Sequence, residues 1–309
     1  MAIPTDLAGT TAGPIVHPVD ERWIMAYAAS IDDLSPRHLD TTTGAGVVAH
    51  PVFPVCVEWP AIVAARTAYE DHDVSPAEVR TGVHATHDLT IHRTIRPGDQ
   101  LSTSLETVGV VGIRPGALVT SRLRTVDRDG RLVASTTQDG IHLGVPARGV
   151  DRPDPDPPTA IDGVDRSGDP IEHTIAIDGG RAHLYTECAR IWNPIHTDRR
   201  VALAAGLPDI ILHGTANLAY GVSAVLADTG ADPTEVRRIR CRFRAMVLLP
   251  STMTVRVWPA SIGTVDGVER QLVPFEVLNQ AGDPAVEDGV VVLGPEPTDV
   301  QGAGIGDSQ

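Results

Sequence analysis

Two stretches of this chain repeat each other. Residues 27–40, YAASIDDLSPRHLD, and residues 185–198, YTECARIWNPIHTD, align without a gap at an offset of 158. Tyr27 matches Tyr185, Pro36 matches Pro194, His38 matches His196 and Asp40 matches Asp198. Ser35 stands opposite Asn193, and Asp33 stands opposite Ile191. Four identities at fixed spacing, each near the start of an equivalent half, identify a tandem duplication. A duplicated chain is expected to fold as two like units, so each half constrains the reading of the other.

The sequence after each motif repeats as well. GTANLAYGVSAVLAD (214–228) has helical periodicity, with Leu218, Val222, Val225 and Leu226 on one stripe and Gly230 as the stop. VCVEWPAIVAARTAYED takes that place in the first half, where Pro60 implies a helix that begins late. Alternating segments follow in both halves. They are HDLTIHRTI, LSTSLETVGVV, ALVTSRLRTV and RLVASTTQDGIHL, then RIRCRFRAMVL, TMTVRVWPA, QLVPFEVLN and VEDGVVVLG. One long helix and several antiparallel strands, twice over, is an α+β pattern. Residues 147–170 are rich in Pro, Asp and Gly without apolar periodicity and read as a linker. The expected division is a first unit at 1–146, the linker, a second unit at 171–294 and a flexible tail at 295–309.

Charge narrows the partners. The formal net charge of −15 disfavours nucleic acid and anionic membrane surfaces. Cys56, Cys188 and Cys241 are odd in number and far apart, which fits neither a disulfide framework nor a zinc cluster. The N-terminus lacks a signal-peptide pattern, and no apolar run approaches the ~20 residues of a membrane span. A cytoplasmic protein is expected, with no metal: His84, His87 and His92 are not spaced to share one strand face.

The segment RIWNPIHTDRRVALAAGLPDIILHGTANLAYG resembles the signature of MaoC-like proteins, the (R)-specific enoyl-CoA hydratase family. That signature runs Asp, any residue, Asn, Pro, Leu or Ile, His, any residue, Asp. A short helix with Ala and Gly follows, then Ile-Leu-His-Gly at the long helix. Asn193, Pro194, Ile195, His196, Asp198, Ala202, Gly206, Ile211, Leu212, His213 and Gly214 fit it; Ile191 departs from it. VVAHPVFPVC and IHRTIRPGDQL look like the degenerate first half of double-hotdog members, with Cys56 and Val57 where the second half has His-Gly.

The resemblance implies a double hotdog, in which two long helices are wrapped by joined antiparallel sheets. It implies an acyl-thioester ligand between the units and reversible addition of water to a 2-enoyl thioester. Coenzyme A or phosphopantetheine would enter as part of the substrate, with no separate cofactor. An acyl carrier protein is a candidate partner, and monomer and homodimer are both compatible. In the family an Asp and the His five residues on share the attacking water, and an N–H at the helix start polarises the thioester carbonyl.

His196 is a proton-carrier candidate because imidazole titrates near neutral pH. Asn193 holds the water or is a turn residue before Pro194. Asp198 reads as an N-cap. Gly214 offers an N–H for the thioester oxygen, and His213 stands beside it. Ile191 cannot accept a proton, whereas Asp33 occupies its place in the first half with His38 five residues on. The alternative for Asp33 is a helix-capping or turn carboxylate in IDDLSP.

In RRIRCRFR, Arg238, Arg240, Arg242 and Arg244 alternate with apolar residues, so a strand presents them on one face. Arg240 and Arg242 are candidates to receive phosphates of the thioester carrier; the alternative is a solvated edge paired with carboxylates. Three functions remain open: a hydratase or dehydratase altered by Ile191, another lyase or cyclisation reaction on the same fold, and a non-catalytic thioester-binding subunit.

Overall fold

The computed structural model describes residues 2–296. The sequence-expected tail at 295–309 therefore lies almost wholly outside the described residues. Two pairs of helices follow the repeat. Helix α1 (Glu21–Ser30) starts where the Asp20 side chain accepts the Trp23 N–H at 2.8 Å. Helix α2 (Pro54–Ala64) is the first long helix. Helix α3 (Arg181–Ala189) repeats α1, and α4 (Gly214–Thr229) repeats α2. Gly230, at φ 67°, ends α4 in the left-handed cap that favours glycine. Helix α2 begins four residues after His50, later than its counterpart begins after His213, and it runs through Pro60 rather than starting there.

Eleven strands form one antiparallel sheet, and Ile3–Pro4 pairs separately with Ala147–Arg148 in parallel. In chain order they are β1 (Thr11–Pro18), β2 (Gly82–Ile91), β3 (Gln100–Ile113), β4 (Gly116–Val126), β5 (Leu132–Leu143), β6 (Ile171–Ile177), β7 (Val236–Phe243), β8 (Ser251–Val257), β9 (Ser261–Val265), β10 (Val268–Leu278) and β11 (Pro284–Leu293). Their order is β1-β3-β4-β5-β2-β7-β11-β10-β8-β6, with β9 attached to β10. The first half enters from one edge and the second from the other, in the same pattern. They meet where β2 pairs with β7 and Leu89 lies opposite Ile239. This is the double hotdog that the resemblance implies.

Period-two patterning turns one face of the sheet onto the helices. In β8, Met253, Val255 and Val257 are buried while the residues between them are not. Residues of both halves join one core, including Trp23, Phe53, Val222 and Phe275. Tyr27 and Tyr185, the repeat partners, are fully buried, with hydroxyls 3.5 Å apart. The internal symmetry axis therefore passes between matched residues. Phe275 fits under α4 because Gly221 is there: a Cβ would stand 2.4 Å from the ring.

The Pro- and Asp-rich linker is tied down rather than free. Arg152 pairs with Val110 on β3, Asp154 with Arg122 on β4, and Asp162 with Thr264 on β9. Its course joins the two halves across the sheet. Among the described residues no helix is long and apolar enough to cross a membrane.

Candidate active site

The turn after α1 delivers Asp33. Asp32 adopts φ 55° and is held by Arg181, whose Nη2 lies 2.9 Å from Asp32 Oδ2. The next residue then folds back, with its N–H on Ala28 O at 3.0 Å. Asp33 Oδ1 accepts the Ser35 N–H, and Ser35 Oγ accepts the Arg37 N–H of the short helix Pro36–Leu39. That helix carries His38.

The ring of His38 is oriented by its backbone partner. Its Nδ1 lies 2.8 Å from Val48 O. A carbonyl only accepts, so in the neutral ring Nδ1 carries the hydrogen and Nε2 keeps its lone pair. Nε2 is buried, makes no hydrogen bond, and stands 3.8 Å from Asp33 Oδ2. His50 faces the same oxygen, with Nε2 also at 3.8 Å. Its Nδ1 accepts the Val52 N–H, so its Nε2–H donates to Ser223 Oγ at 3.2 Å. The Ser223 hydroxyl donates to Asp33 Oδ2 at 2.7 Å.

Ser223 comes from α4, so the site takes a residue from each half. Burial presses the Asp33 pKa upward, but His50, His38 and the bonds from Ser223 and Ser35 outweigh it and hold the carboxyl below its ordinary value. Burial takes His50 down to about 3, against the opposing pull of Asp33. At neutral pH Asp33 is thus anionic and His50 neutral, and His38 turns its unbonded Nε2 toward that carboxylate.

The second half repeats the frame without the acid. His196 Nδ1 lies 2.8 Å from Ile211 O, as His38 does from Val48 O. His213 stacks on His196 with ring centroids 3.6 Å apart. Ile191 stands buried in the place of Asp33. Burial lowers His196 to about 4 and His213 well below its usual value, the latter helped by His196. Asn193 is half-exposed and its side chain makes no hydrogen bond among the described residues; its carbonyl accepts the His196 N–H, as a turn residue does. Asp198 caps the helix Arg199–Ala204 through Arg200 and Val201 N–H, and is not in the site.

These frames correct one sequence alignment. Val48-Ala49-His50 matches Ile211-Leu212-His213, so the first half does have the histidine assigned as missing on the strength of Cys56 and Val57. The connection from His196 to His213 is five residues longer than that from His38 to His50, which hid the match. Counting ten residues on from each histidine, Ser223 in the second half corresponds to Pro60 in the first. The second site lacks the carboxylate, and the position corresponding to its serine partner is a proline.

The glycine after His213 has no equal in the first half. Gly214 heads α4 with an N–H free of any acceptor among the described residues, and the Phe243 ring packs at 3.2 Å from where its Cβ would be. In the first half Pro51 and Pro54 have no N–H, and Val52 and Phe53 spend theirs on His50. A small pocket of about 10 Å³ lies beside this turn, lined by His50, Pro54, Ile91, Arg93, Thr94 and Ala134 among others. Thr94 Oγ1 is buried there next to the Glu296 carboxylate, which accepts the Thr94 N–H at 2.7 Å and which the Thr94 side chain helps hold below its ordinary pKa.

The arginine row lies elsewhere. Strand β7 is at the seam of the sheet, not at an edge, and its Ile239 and Cys241 enter the core. Arg238, Arg240 and Arg242 therefore stand on the opposite face from the two histidine clusters. Arg238 forks onto Asp88 at 2.7 Å and also reaches the linker at Thr159. Arg240 lies 3.9 Å from Asp88, and Arg242 lies 3.7 Å from Asp288, both half-exposed. Carboxylates already answer much of the charge proposed for phosphates. His84 and His87 lie closer than their spacing implies, with centroids 5.4 Å apart, because the β2–β5 register shifts between His84 and Thr86.

Comparisons with known proteins agree with this frame. Residues 166–279 match the family described as MaoC like domain, and residues 6–136 match the FAS1-like dehydratase domain region. The chain is 27% identical over 185 residues to the peroxisomal multifunctional enzyme type 2 of Drosophila melanogaster, covering 57% of this chain and 29% of that protein. It thus spans under a third of that enzyme. It is 24% identical over 227 residues to the enoyl-CoA hydratase ChsH3 of Mycobacterium tuberculosis, covering 73% of each. The MaoC-like dehydratase structure from Phytophthora capsici superposes with a TM-score of 0.75 at 19% identity, covering 94% of this chain and 97% of that one.

Proposed function

We propose that this chain, whose second half matches a MaoC-like domain and whose first half matches a FAS1-like dehydratase region, adds water reversibly to a 2-enoyl thioester at the first-half site. The observation that carries this reading is the Asp33–His38 pair. Two acceptors, a carboxylate oxygen and an imidazole lone pair, face each other across 3.8 Å with the imidazole unpartnered. One water can give a hydrogen to each.

The steps follow from those groups. His38 Nε2 takes a proton as the water oxygen bonds to C3, and the resulting imidazolium is stabilised by Asp33. The C2–C3 π pair moves onto the thioester as an enolate, and C2 then takes the proton back from the His38 imidazolium, which restores the free imidazole. The net change is H at C2 and OH at C3, balanced without any cofactor. His50 and Ser223 keep Asp33 ionised and fixed, so they are positioning residues. The enolate oxygen needs a donor. The first turn of α2 offers no free N–H, so the buried Thr94 hydroxyl in the adjoining pocket takes that role by turning from the Glu296 carboxylate to the enolate oxygen. Coenzyme A or phosphopantetheine enters as the carrier part of the substrate, with an acyl carrier protein as the alternative source.

Loss of enoyl-thioester absorbance tests the reading. Asp33→Asn and His38→Ala are each expected to cost roughly 10²–10⁴-fold in kcat, while His196→Ala stays within a few-fold of wild type. Activity lost with His196→Ala and kept with His38→Ala would place the reaction in the second half instead. A folded wild-type chain inactive on all enoyl thioesters would favour the non-catalytic thioester-binding subunit.

A further inference from the structure

Glu58, buried on α2 with the Thr136 hydroxyl on its Oε1, lies outside the proposed chemistry and is enclosed by the core. A cavity of about 340 Å³ in the second unit does have room for a small ligand. It is lined by Asp169 and Ile171 where the chain enters β6, by Val257 and Trp258 where it leaves β8, and by Asp228 and Thr229 at the end of α4, among others. From Gly214 to Asp228 is 14 residues of α4, about 21 Å at 1.5 Å per residue, so the cavity is separate from the second histidine cluster. The first-half site reaches α4 at Ser223. Asp228 comes five residues later, about 140° round the helix, and leaves it on a different face.

The polar groups around this cavity share one sign. No cationic side chain lines it. Asp228 is 13% exposed, and His173 Nε2 shares one hydrogen between its two oxygens at 3.0 and 2.9 Å. A carboxylate has about four lone-pair sites, so most remain open. Asp169 adds a second, exposed carboxylate. Helix α4 ends there too, and the carbonyls of Ala227, Asp228 and Thr229 receive no hydrogen bond among the described residues. Such a helix end favours a cation. The Thr229 hydroxyl is already used, since it donates to Val225 O and accepts the Ala231 N–H. The rest of the wall is mostly apolar. Val257 is buried, and the Arg166 guanidinium stands 5.3 Å from the Trp258 ring centroid and fixes that ring.

We propose that this cavity binds a small primary ammonium ligand with an apolar body. The ammonium group donates to Asp228 beside the carbonyl end of α4, and the apolar body packs on Trp258 and Val257. A primary ammonium brings three donors to these acceptors. An anion would be repelled by two carboxylates and a helix end, and a neutral ligand would gain little from them. The site is independent of the hydration reading.

Two probes of one skeleton and different charge test it. 2-Phenylethylammonium and 2-phenylethanol are each titrated into the whole chain, and the indole N–H signals of its four tryptophans are followed by NMR. Trp258→Leu identifies the Trp258 signal. That signal should move saturably with the ammonium probe, with a dissociation constant at least tenfold below that of the alcohol, the worth of one charge-assisted hydrogen bond. Asp228→Asn keeps an acceptor for His173 and should bind the ammonium probe about tenfold more weakly while binding the alcohol as before.

Equal binding of the two probes by wild type overturns the inference and needs no variant. A Trp258 signal that neither probe moves overturns it as well. Phenylacetate bound as tightly as the ammonium probe would show a site blind to charge, with the same consequence. Unchanged ammonium affinity in a folded Asp228→Asn would take the charge away from α4 and refute the assignment. None of these outcomes touches turnover, which Asp33→Asn and His38→Ala test.

Discussion

Glu58 makes a quantitative demand on stability that is independent of any substrate. Its carboxyl titrates near the ordinary 4.5 when the chain is unfolded and at about 7 in the folded state. Below 4.5 both states hold the proton and Glu58 adds no pH dependence. As pH rises from 4.5 through 7, the unfolded chain sheds a proton that the folded chain retains, so stability falls. A gap of roughly 2.5 at about 1.4 kcal/mol per unit comes to about 3 kcal/mol. Glu58→Gln cannot ionise and keeps an acceptor for Thr136, so it escapes this loss.

The assay is thermal unfolding of both proteins from pH 5 to pH 9. The two should melt within a few degrees of each other at pH 5. At pH 9 the variant should be the more stable by about 3 kcal/mol, roughly 6–12 °C in Tm at 2–4 °C per kcal/mol. Other titrating groups cancel in the difference. Parallel Tm curves across the range would show that Glu58 titrates as a solvated acid and would refute the reasoning.

Ser223→Ala removes the hydroxyl that donates to Asp33, so the Asp33 pKa should rise and the acid limb of kcat/KM should move to higher pH; an unmoved limb in a folded variant would remove Ser223 from the site. Thr94→Val should lower kcat by more than tenfold with little change in substrate KM, and equal loss in both would assign Thr94 to binding alone. Ile191→Asp should destabilise the fold by several kcal/mol in chemical unfolding and gain no activity, because no serine stands at the Pro60 position to receive the new carboxylate. Gly221→Ala should cost about 1–3 kcal/mol by pushing the Phe275 ring out of its place, which urea denaturation would report.

Much of this architecture was legible before any coordinates. The duplication, the long helices and the strand runs follow from short-range regularities: residue matches at one offset, helical and two-residue apolar periods, and turn residues. Even the departure at Ile191 and its intact counterpart at Asp33 are visible in an alignment. Asp198 as a helix cap is a local property of one side chain and three backbone positions, so sequence reasoning reached it too.

The site was legible only in part. His50 escaped because two connections differ by five residues, and only the matching bonds of His38 to Val48 and His196 to Ile211 fix the true register. Ser223 could not be read at all, since it lies 190 positions from Asp33 and meets it only when the second half packs on the first. The arginine row was correctly seen as one face of a strand, but which face depends on the core that Ile239 and Cys241 join. Glu58 reads as one charged residue in an apolar helix until β5 brings Thr136 to it. Sequence determined the local regularities, because they are set by neighbours along the chain. Tertiary structure decided which polar groups meet and which are cut off from water, because those depend on surfaces that distant segments bury together.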